Sequence, residues 1–213
     1  MRVSLTGAYG IGSENAEIVL DPQFSDTEVK SDFGKTYEIG AGFHYFALDN
    51  LSLSLSLSYG QNEAVTKIKT RVFSGIAFSD GEVKLTYPFL QAEIAARYYF
   101  SNLFFGGAGF YYGTKAGDFK EKSTLWGIVS EEKINDSIAK PNTGIFIEIG
   151  LEFPIDEALS LSLSGKFKKA LQPAYEDKNV ENGIDAVDGF DDVDLKTVQL
   201  NSLLIQIGIN YKF

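Results

Sequence analysis

The sequence predicts an all-β protein, an eight-stranded antiparallel up-and-down transmembrane β-barrel. Three observations predict it: apolar and polar residues alternate along the chain, short turns alternate with long polar segments, and aromatic residues gather at strand ends. Alternation with a period of two is typical of strands whose two faces meet different surroundings. The chain has no convincing pattern of helical period and no apolar run near the ~18 residues of a membrane helix. We therefore expect one barrel domain over residues 1–213.

The composition excludes several classes of function. The 213 residues include no Cys and a single His, which excludes disulfides, a Cys nucleophile and a multi-histidine metal site. The net charge of −10 argues against nucleic acid as a partner, because phosphates attract basic surfaces. Hydrophobic residues at 44% exclude a disordered chain.

The clearest strand is residues 51–59, LSLSLSLSY, with its leucines on one face and its serines on the other. Residues 145–153, 159–167 and 203–213 repeat this pattern. We expect eight strands, at about 2–10, 35–47, 51–60, 83–100, 103–113, 143–153, 159–169 and 197–213. The apolar positions change phase within the fourth and eighth strands, and a bulge near Pro88 would explain the first change.

The connections are of two kinds. Short turns are expected at 48–50, 101–102 and 154–158, and long loops at about 11–34, 61–82, 114–142 and 170–196. The two kinds alternate along the chain, so all short turns lie at one end of the barrel and all long loops at the other.

The distribution of aromatic residues favours lipid outside the barrel over a soluble core within it. Two groups lie at opposite strand ends, as two interfacial girdles around an apolar band about 25 Å tall would require. The girdle at the short-turn end is assigned to Tyr45, Tyr98, Phe100, Phe105, Phe153, Tyr211 and Phe213, and the other to Tyr9, Tyr37, Tyr59, Tyr111 and Phe167.

The polar face carries charges that nearly cancel, as a narrow interior requires, since an unpaired buried charge costs several kcal/mol. The predicted interior network is Arg2, Glu38, Glu93, Arg97, Glu148, Glu152, Lys166, Lys168 and Lys212. Glu148 and Glu152 are expected to pair with Lys166 and Lys168 on the next strand. The alternative is a soluble sheet whose charges face water. The aromatic residues placed inside are Phe46, Tyr99, Phe104, Phe110 and Phe146.

The two-residue turn at 101–102 predicts a cross-strand register. It sets Phe100 opposite Leu103, Tyr98 opposite Phe105 and Arg97 opposite Gly106. Gly107 and Gly109 then lie on the outer face, where they could mark a thin place in the wall.

The end of the chain carries the most specific motif. Ile207, Ile209, Tyr211 and the terminal Phe213 resemble the C-terminal signal that bacterial outer-membrane barrels present to their assembly machinery. With the eight strands and the unequal loops, the whole chain resembles small outer-membrane barrels of the OmpA-barrel, OmpX and OmpW type. The resemblance implies periplasmic termini and turns, extracellular long loops, and contact with outer-membrane lipid, lipopolysaccharide and the barrel-assembly machinery. A signal peptide is expected ahead of this sequence, with Met1 an added start.

The residues do not favour catalysis or a cofactor. Lipid A deacylases of this architecture use a His-x-Ser pair, but Tyr45 and Phe46 follow His44. The palmitoyltransferase barrels place a His near the outer leaflet, whereas His44 lies close to a short turn and, by phase, inside. We expect a hydrogen-bonded interior histidine and no enzyme activity.

Two loop features remain open. Asp185, Asp188, Asp191 and Asp192 surround a glycine and form a weak Ca²⁺ candidate, although their spacing differs from the EF-hand and a solvated acidic loop is favoured. Trp126 lies in an apolar cluster of the third long loop, in either a strand extension or a contact surface.

The function that the sequence favours is a surface-exposed structural or interaction protein, adhesin-like or antigen-like, with a packed polar interior. The first alternative is a small OmpW-like channel that passes apolar or small solutes through its wall. The second is a soluble, calycin-like barrel with the leucine face turned inward around a lipophilic ligand.

Overall fold

A computed structural model describes residues 1–20, 27–32, 34–71, 77–118, 120–125, 128–133, 140–176 and 193–213. These residues form twelve strands. They are β1 Arg2–Leu20, β2 Thr27–Asp32, β3 Gly34–Leu48, β4 Leu51–Arg71, β5 Ala77–Tyr99, β6 Phe104–Lys115, β7 Lys120–Leu125, β8 Ile128–Lys133, β9 Asn142–Pro154, β10 Leu159–Ala170, β11 Tyr175–Glu176 and β12 Val193–Lys212. Over the described ranges, no helix is both long and apolar enough to cross a membrane.

Eight of the strands close into a barrel. Their order is β4-β3-β1-β12-β10-β9-β6-β5, and β5 pairs back onto β4. Every pairing is antiparallel, and the seam joins the two ends of the chain through Arg2 opposite Lys212 and Val3 opposite Tyr211. The prediction of an all-β, eight-stranded antiparallel barrel is confirmed. We call the end with the termini and short connections the turn end, and the opposite end the loop end.

Much of the predicted loop sequence is strand. β1 continues to Leu20, β4 runs to Arg71 and β5 begins at Ala77, so most of 11–34 and 61–82 pairs with neighbouring strands. Segment 114–142 contains β7 and β8, and segment 170–196 contains β11 and the start of β12. Backbone pairing satisfies the N–H and C=O groups of these extensions whether or not their side chains alternate.

The extensions form two sheets at the loop end. The first sheet has the strand order β2-β4-β5-β7-β8. The second has the order β11-β12-β1, in which β11 pairs with the loop-end part of β12. Lys120 on β7 reaches Glu131 on β8 at 2.9 Å. The hydrogen bond and charge of Glu131 raise the pKa of Lys120, and those of Lys120 lower the pKa of Glu131.

The strands keep their phase where the sequence predicted a change. The β4–β5 register is continuous through Gln61 opposite Pro88, so no bulge lies there. Ala116 donates its N–H to the carbonyl of Pro88 at the end of β6, and β7 begins to pair only at Thr86. The nitrogen of Pro88 faces the same side as its carbonyl, toward the end of β6. The lack of an N–H there therefore does not interrupt the ladder between β4 and β5.

The apolar residues at the apparent change of phase point inward instead. Leu85, Tyr87 and Phe89 on β5 are buried inside the barrel. On β12, Leu200 and Leu204 are likewise buried. The interior toward the loop end therefore contains aliphatic and aromatic residues that the predicted polar interior did not include, beside buried polar residues such as Thr36 and Asn62.

Strand β6 has the opposite phase to the one predicted. Phe105 and Tyr111 are buried inside, whereas Phe104 and Phe110 lie exposed on the outer face. The reason is the turn: Phe100 and Ser101 both donate their N–H to Phe104, and Tyr99, not Tyr98, lies opposite Phe105. A register slip of one residue moves every side chain of a strand to the other face.

The two faces of the barrel differ sharply in polarity. The leucines of β4 face outward, with Leu55 54% exposed, and the alternating serines face inward, with Ser52 fully buried. The calycin-like soluble barrel requires the leucine face inside, whereas in the structure the leucine face lies outside.

Candidate functional site

The barrel interior holds the candidate functional residues. Strands β3, β5, β9 and β10 each direct charged side chains into the lumen, because inward positions recur at every second residue. The structure places eight of the nine predicted network residues inside, namely Arg2, Glu38, Glu93, Arg97, Glu148, Glu152, Lys166 and Lys168. The ninth, Lys212, is exposed at the turn-end mouth.

Two arginine–carboxylate pairs lie nearest the turn end. Arg2 contacts Glu152, which also accepts hydrogen bonds from Tyr99 Oη at 3.1 Å and Ser160 Oγ at 2.6 Å. Arg97 contacts Glu148 through two nitrogens, with Nη2 3.1 Å from Oε2. The two-point contact suits the planar guanidinium.

A lysine–glutamate ladder lies above these pairs. Glu93 binds Lys166 and Lys168, with both Nζ–Oε distances 2.8 Å. Lys168 also contacts both carboxylate oxygens of Glu38, at 2.5 and 2.7 Å. Gln91 donates to Glu93 at 2.8 Å. With Ser56 Oγ at 3.4 Å, Glu93 therefore contacts four donor side chains in a buried site.

The partners differ from the predicted ones. Glu148 and Lys166 are register neighbours on β9 and β10, yet Glu148 binds Arg97 and Lys166 binds Glu93, both on β5. The bonded partners lie on strands that are not neighbours in the sheet, and strand register does not determine such contacts. Four acids and four bases make this interior set neutral.

Aromatic rings pack against the cations. Arg2 lies 4.5 Å from the Phe46 ring centroid and Arg97 lies 5.1 Å from that of Phe105. Lys166 and Lys168 approach Phe146 and Tyr111 at 4.6 and 5.5 Å. Of these rings, Phe105 and Tyr111 were not predicted inside, and only the correct register of the β5–β6 hairpin would have found them.

An apolar layer closes the lumen toward the loop end. Tyr87 and Phe89 stack with their ring centroids 6.5 Å apart, and Leu204 on β12 is fully buried. The Tyr87 hydroxyl donates to the carbonyl of Lys140 at 3.0 Å, and Lys140 donates its N–H to Ala174 at 2.8 Å. We call Leu85, Tyr87, Phe89, Leu200 and Leu204 the apolar plug.

His44 lies inside the barrel near the turn end. It is 4% exposed, and its Nε2 is 3.0 Å from Ser4 Oγ. Its Nδ1 has no hydrogen-bond partner among the described residues. In a catalytic triad, a third polar group accepts a hydrogen bond from the second ring nitrogen of the histidine and orients the ring. Among the described residues, no such group contacts His44.

The glycines of β6 do not thin the outer wall. A Cβ at Gly107 would lie 2.7 Å from Glu148 Oε1, and one at Gly109 would lie 2.8 Å from the Phe146 ring. Both positions therefore face the packed interior, in a continuous ladder between β5 and β9. The outward glycine is Gly106, covered by the Phe100 ring.

The predicted assembly-signal residues and most of the predicted girdle residues lie on the outer face, but Phe105 and Tyr111, one from each girdle, are buried inside the barrel because β6 has the opposite phase. Tyr98 and Phe100 pack edge-on with centroids 5.2 Å apart, as do Tyr211 and Phe213 at 5.1 Å. The remaining outward residues of these two sets are also exposed, namely Tyr9, Tyr37, Tyr45, Tyr59, Phe153, Phe167, Ile207 and Ile209.

The loop candidates fall outside the described residues. These are the Ca²⁺ candidates Asp185, Asp188, Asp191 and Asp192, and also Trp126. Within the ranges that the structure describes, no three His, Asp or Glu side chains are grouped so as to hold a metal ion.

Comparison with solved structures finds small outer-membrane barrels. The chain is similar to Neisserial surface protein A, with a TM-score of 0.43, 10% identity, and coverage of 99% of this chain and 97% of that one. It is similar to the outer membrane protein OprG from Pseudomonas aeruginosa, with a TM-score of 0.39 and 13% identity, and the match covers 99% of this chain and 95% of OprG. It is also similar to the outer membrane protease OmpT from Escherichia coli, with a TM-score of 0.45 and 8% identity, and the match covers 100% of this chain and 97% of OmpT. The similarity is one of fold. No protein-family model and no curated protein sequence matches the chain.

Proposed function

We propose that the chain is an integral outer-membrane barrel that acts at the cell surface as a structural or interaction protein and passes no solute through its interior. The closed lumen carries this proposal. Salt-bridged and aromatic side chains occupy the turn-end half, and the apolar plug together with buried polar residues such as Thr36 and Asn62 occupies the other. An eight-stranded barrel is only wide enough for side chains.

The outer surface supports the membrane location. Exposed Leu, Ile and Phe side chains form a band on all eight barrel strands, with aromatic residues at its edges. Such a band is costly in water and favourable in lipid. We place the termini and short connections in the periplasm and the extended sheets outside the cell, with lipopolysaccharide around the barrel.

The extended sheets support an interaction role. Among the described strands, β2 and β8 each pair on one side only, so each offers a strand edge beyond the lipid band. Unpaired edges are surfaces on which another chain can add. The partner is expected to be an extracellular surface ligand bound by these sheets and the loops between them.

Catalysis is not part of the proposal. Ser4 and His44 are in contact, but both lie within the closed lumen, in a cavity of only about 30 Å³. A lipid or peptide substrate does not fit there.

Planar-bilayer recording of the refolded protein tests the closed lumen. We expect no discrete conductance steps, because two filled layers must move aside before ions can pass. Heat-dependent gel mobility of the same sample serves as the control for folding, and detergent alone as the blank. Reproducible steps from folded protein would overturn the proposal and favour the channel alternative.

Unique cysteines test the orientation, since the chain contains none. Val129→Cys on β8 and Asp156→Cys in a turn-end connection both replace exposed side chains. On intact cells we expect a membrane-impermeant maleimide to label Val129→Cys and not Asp156→Cys, with both labelled after lysis. Labelling of Asp156→Cys alone on intact cells would reverse the orientation, and labelling of neither would contradict surface display.

A further inference from the structure

The two halves of the barrel wall contribute side chains of different length. Strands β5, β9 and β10 supply six of the eight charged interior side chains. The facing strands β1, β3 and β4 supply mostly short inward residues, with Arg2 and Glu38 as their two charged ones. The short inward residues include Ser4, Thr6, Gly40, Ser54, Ser56 and Ser58. The long side chains end on one another and leave a cavity of about 30 Å³ against this short-residue wall.

The cavity has unsatisfied polar atoms on its wall. His44 Nδ1 and Ser58 Oγ are both buried and make no hydrogen bond to any described residue, and both residues line the cavity. A buried polar atom without a partner costs roughly 1–3 kcal/mol. Such atoms are normally satisfied by protein or by ordered water.

The charges around the cavity favour a neutral occupant. Glu38 and Glu93 contribute two negative charges, and Arg97 and Lys166 contribute two positive ones. Each of the four already has an oppositely charged partner. An ion here would meet no net opposite charge, whereas a water molecule both donates and accepts hydrogen bonds.

We propose that this cavity is an internal hydration site that holds about two water molecules, hydrogen-bonded to His44 Nδ1 and Ser58 Oγ. The volume fits this number, because one water needs roughly 10–15 Å³ of such space. The apolar plug separates these waters from the loop end, and the Arg2–Glu152 and Arg97–Glu148 pairs separate them from the turn end.

Oxygen-17 magnetic relaxation dispersion of the detergent-refolded protein counts such long-lived waters. We expect about two in the unaltered chain and at least one fewer in Ser58→Val, whose larger side chain fills the cavity. The matched control is Ser52→Ala: Ser52 Oγ is also buried and unpartnered but does not line the cavity, so the count should not change. No long-lived water in the unaltered chain, or equal losses in both variants, would overturn the proposal.

A second measurement on the unaltered chain needs no variant. In an NMR spectrum of the micelle-bound protein, the ring protons of His44, the only histidine, should show cross-relaxation with water. Absence of that signal in a folded sample would contradict water at Nδ1. If Ser58→Val does not fold, this measurement alone decides the proposal.

Discussion

Replacing Glu93 by Gln is expected to lower the free energy of unfolding by about 3–5 kcal/mol, the range for removing one partner of a buried ion pair. Glu93 binds both Lys166 and Lys168, and Lys166 has no second carboxylate among its described contacts. The substitution therefore leaves a buried ammonium group without its counter-charge. Urea titration of the refolded protein in lipid vesicles measures the loss.

A double-mutant cycle shows whether the pairing carries this cost. Adding Lys166→Met to Glu93→Gln removes the orphaned charge, so the double variant should be more stable than the sum of the two single losses predicts, by about 1–3 kcal/mol. The matched control cycle joins Glu38→Gln to Arg97→Met, two interior charges that bind other partners. Near-additivity in both cycles would refute the paired interior.

Replacing Phe89 by Ala in the apolar plug is expected to cost about 3–5 kcal/mol, as for other buried Phe residues truncated to Ala. Phe89 is 1% exposed and stacks on Tyr87, so the substitution opens a cavity that the rigid barrel wall cannot collapse to fill. The same urea titration gives the difference in stability.

The control for this experiment is Phe110→Ala on the outer face. Phe110 is 68% exposed, and lipid chains can take the place of its ring, so its loss should be much smaller than that of Phe89. The sequence alone predicted that Phe110 lies inside the barrel. A larger loss for Phe110→Ala would restore that assignment and contradict the structure.

The alternation of residues was sufficient to predict the barrel because it is a local property. Leucines at every second position of 51–57 need a surface different from the one that the serines meet, whatever the rest of the chain does. Eight such segments in series, joined alternately by short turns and long loops, favour an up-and-down antiparallel barrel, because closure leaves no unpaired strand edge. The outer and inner residues of β4, β9 and β10 followed directly.

The errors come from what alternation does not contain. Leu85, Tyr87 and Phe89 alternate as well as any lipid-facing segment, and only their register with β4 shows that they face inward. One residue in the length of a turn decided the orientation of all of β6. The pairing of Lys166 with Glu93 depends on which side chains meet across the lumen, and neighbouring positions in the sheet do not determine it.

The seam between β1 and β12 has a consequence for how the barrel is made. It pairs Arg2 with Lys212, the most distant positions along the chain that any ladder joins. Closure by such non-local pairing is slow, since the entropy of ordering the intervening chain must be lost first. Until β12 has been synthesised and paired, β1 and β10 both expose a free edge, so the growing barrel needs protection from aggregation until that strand is in place.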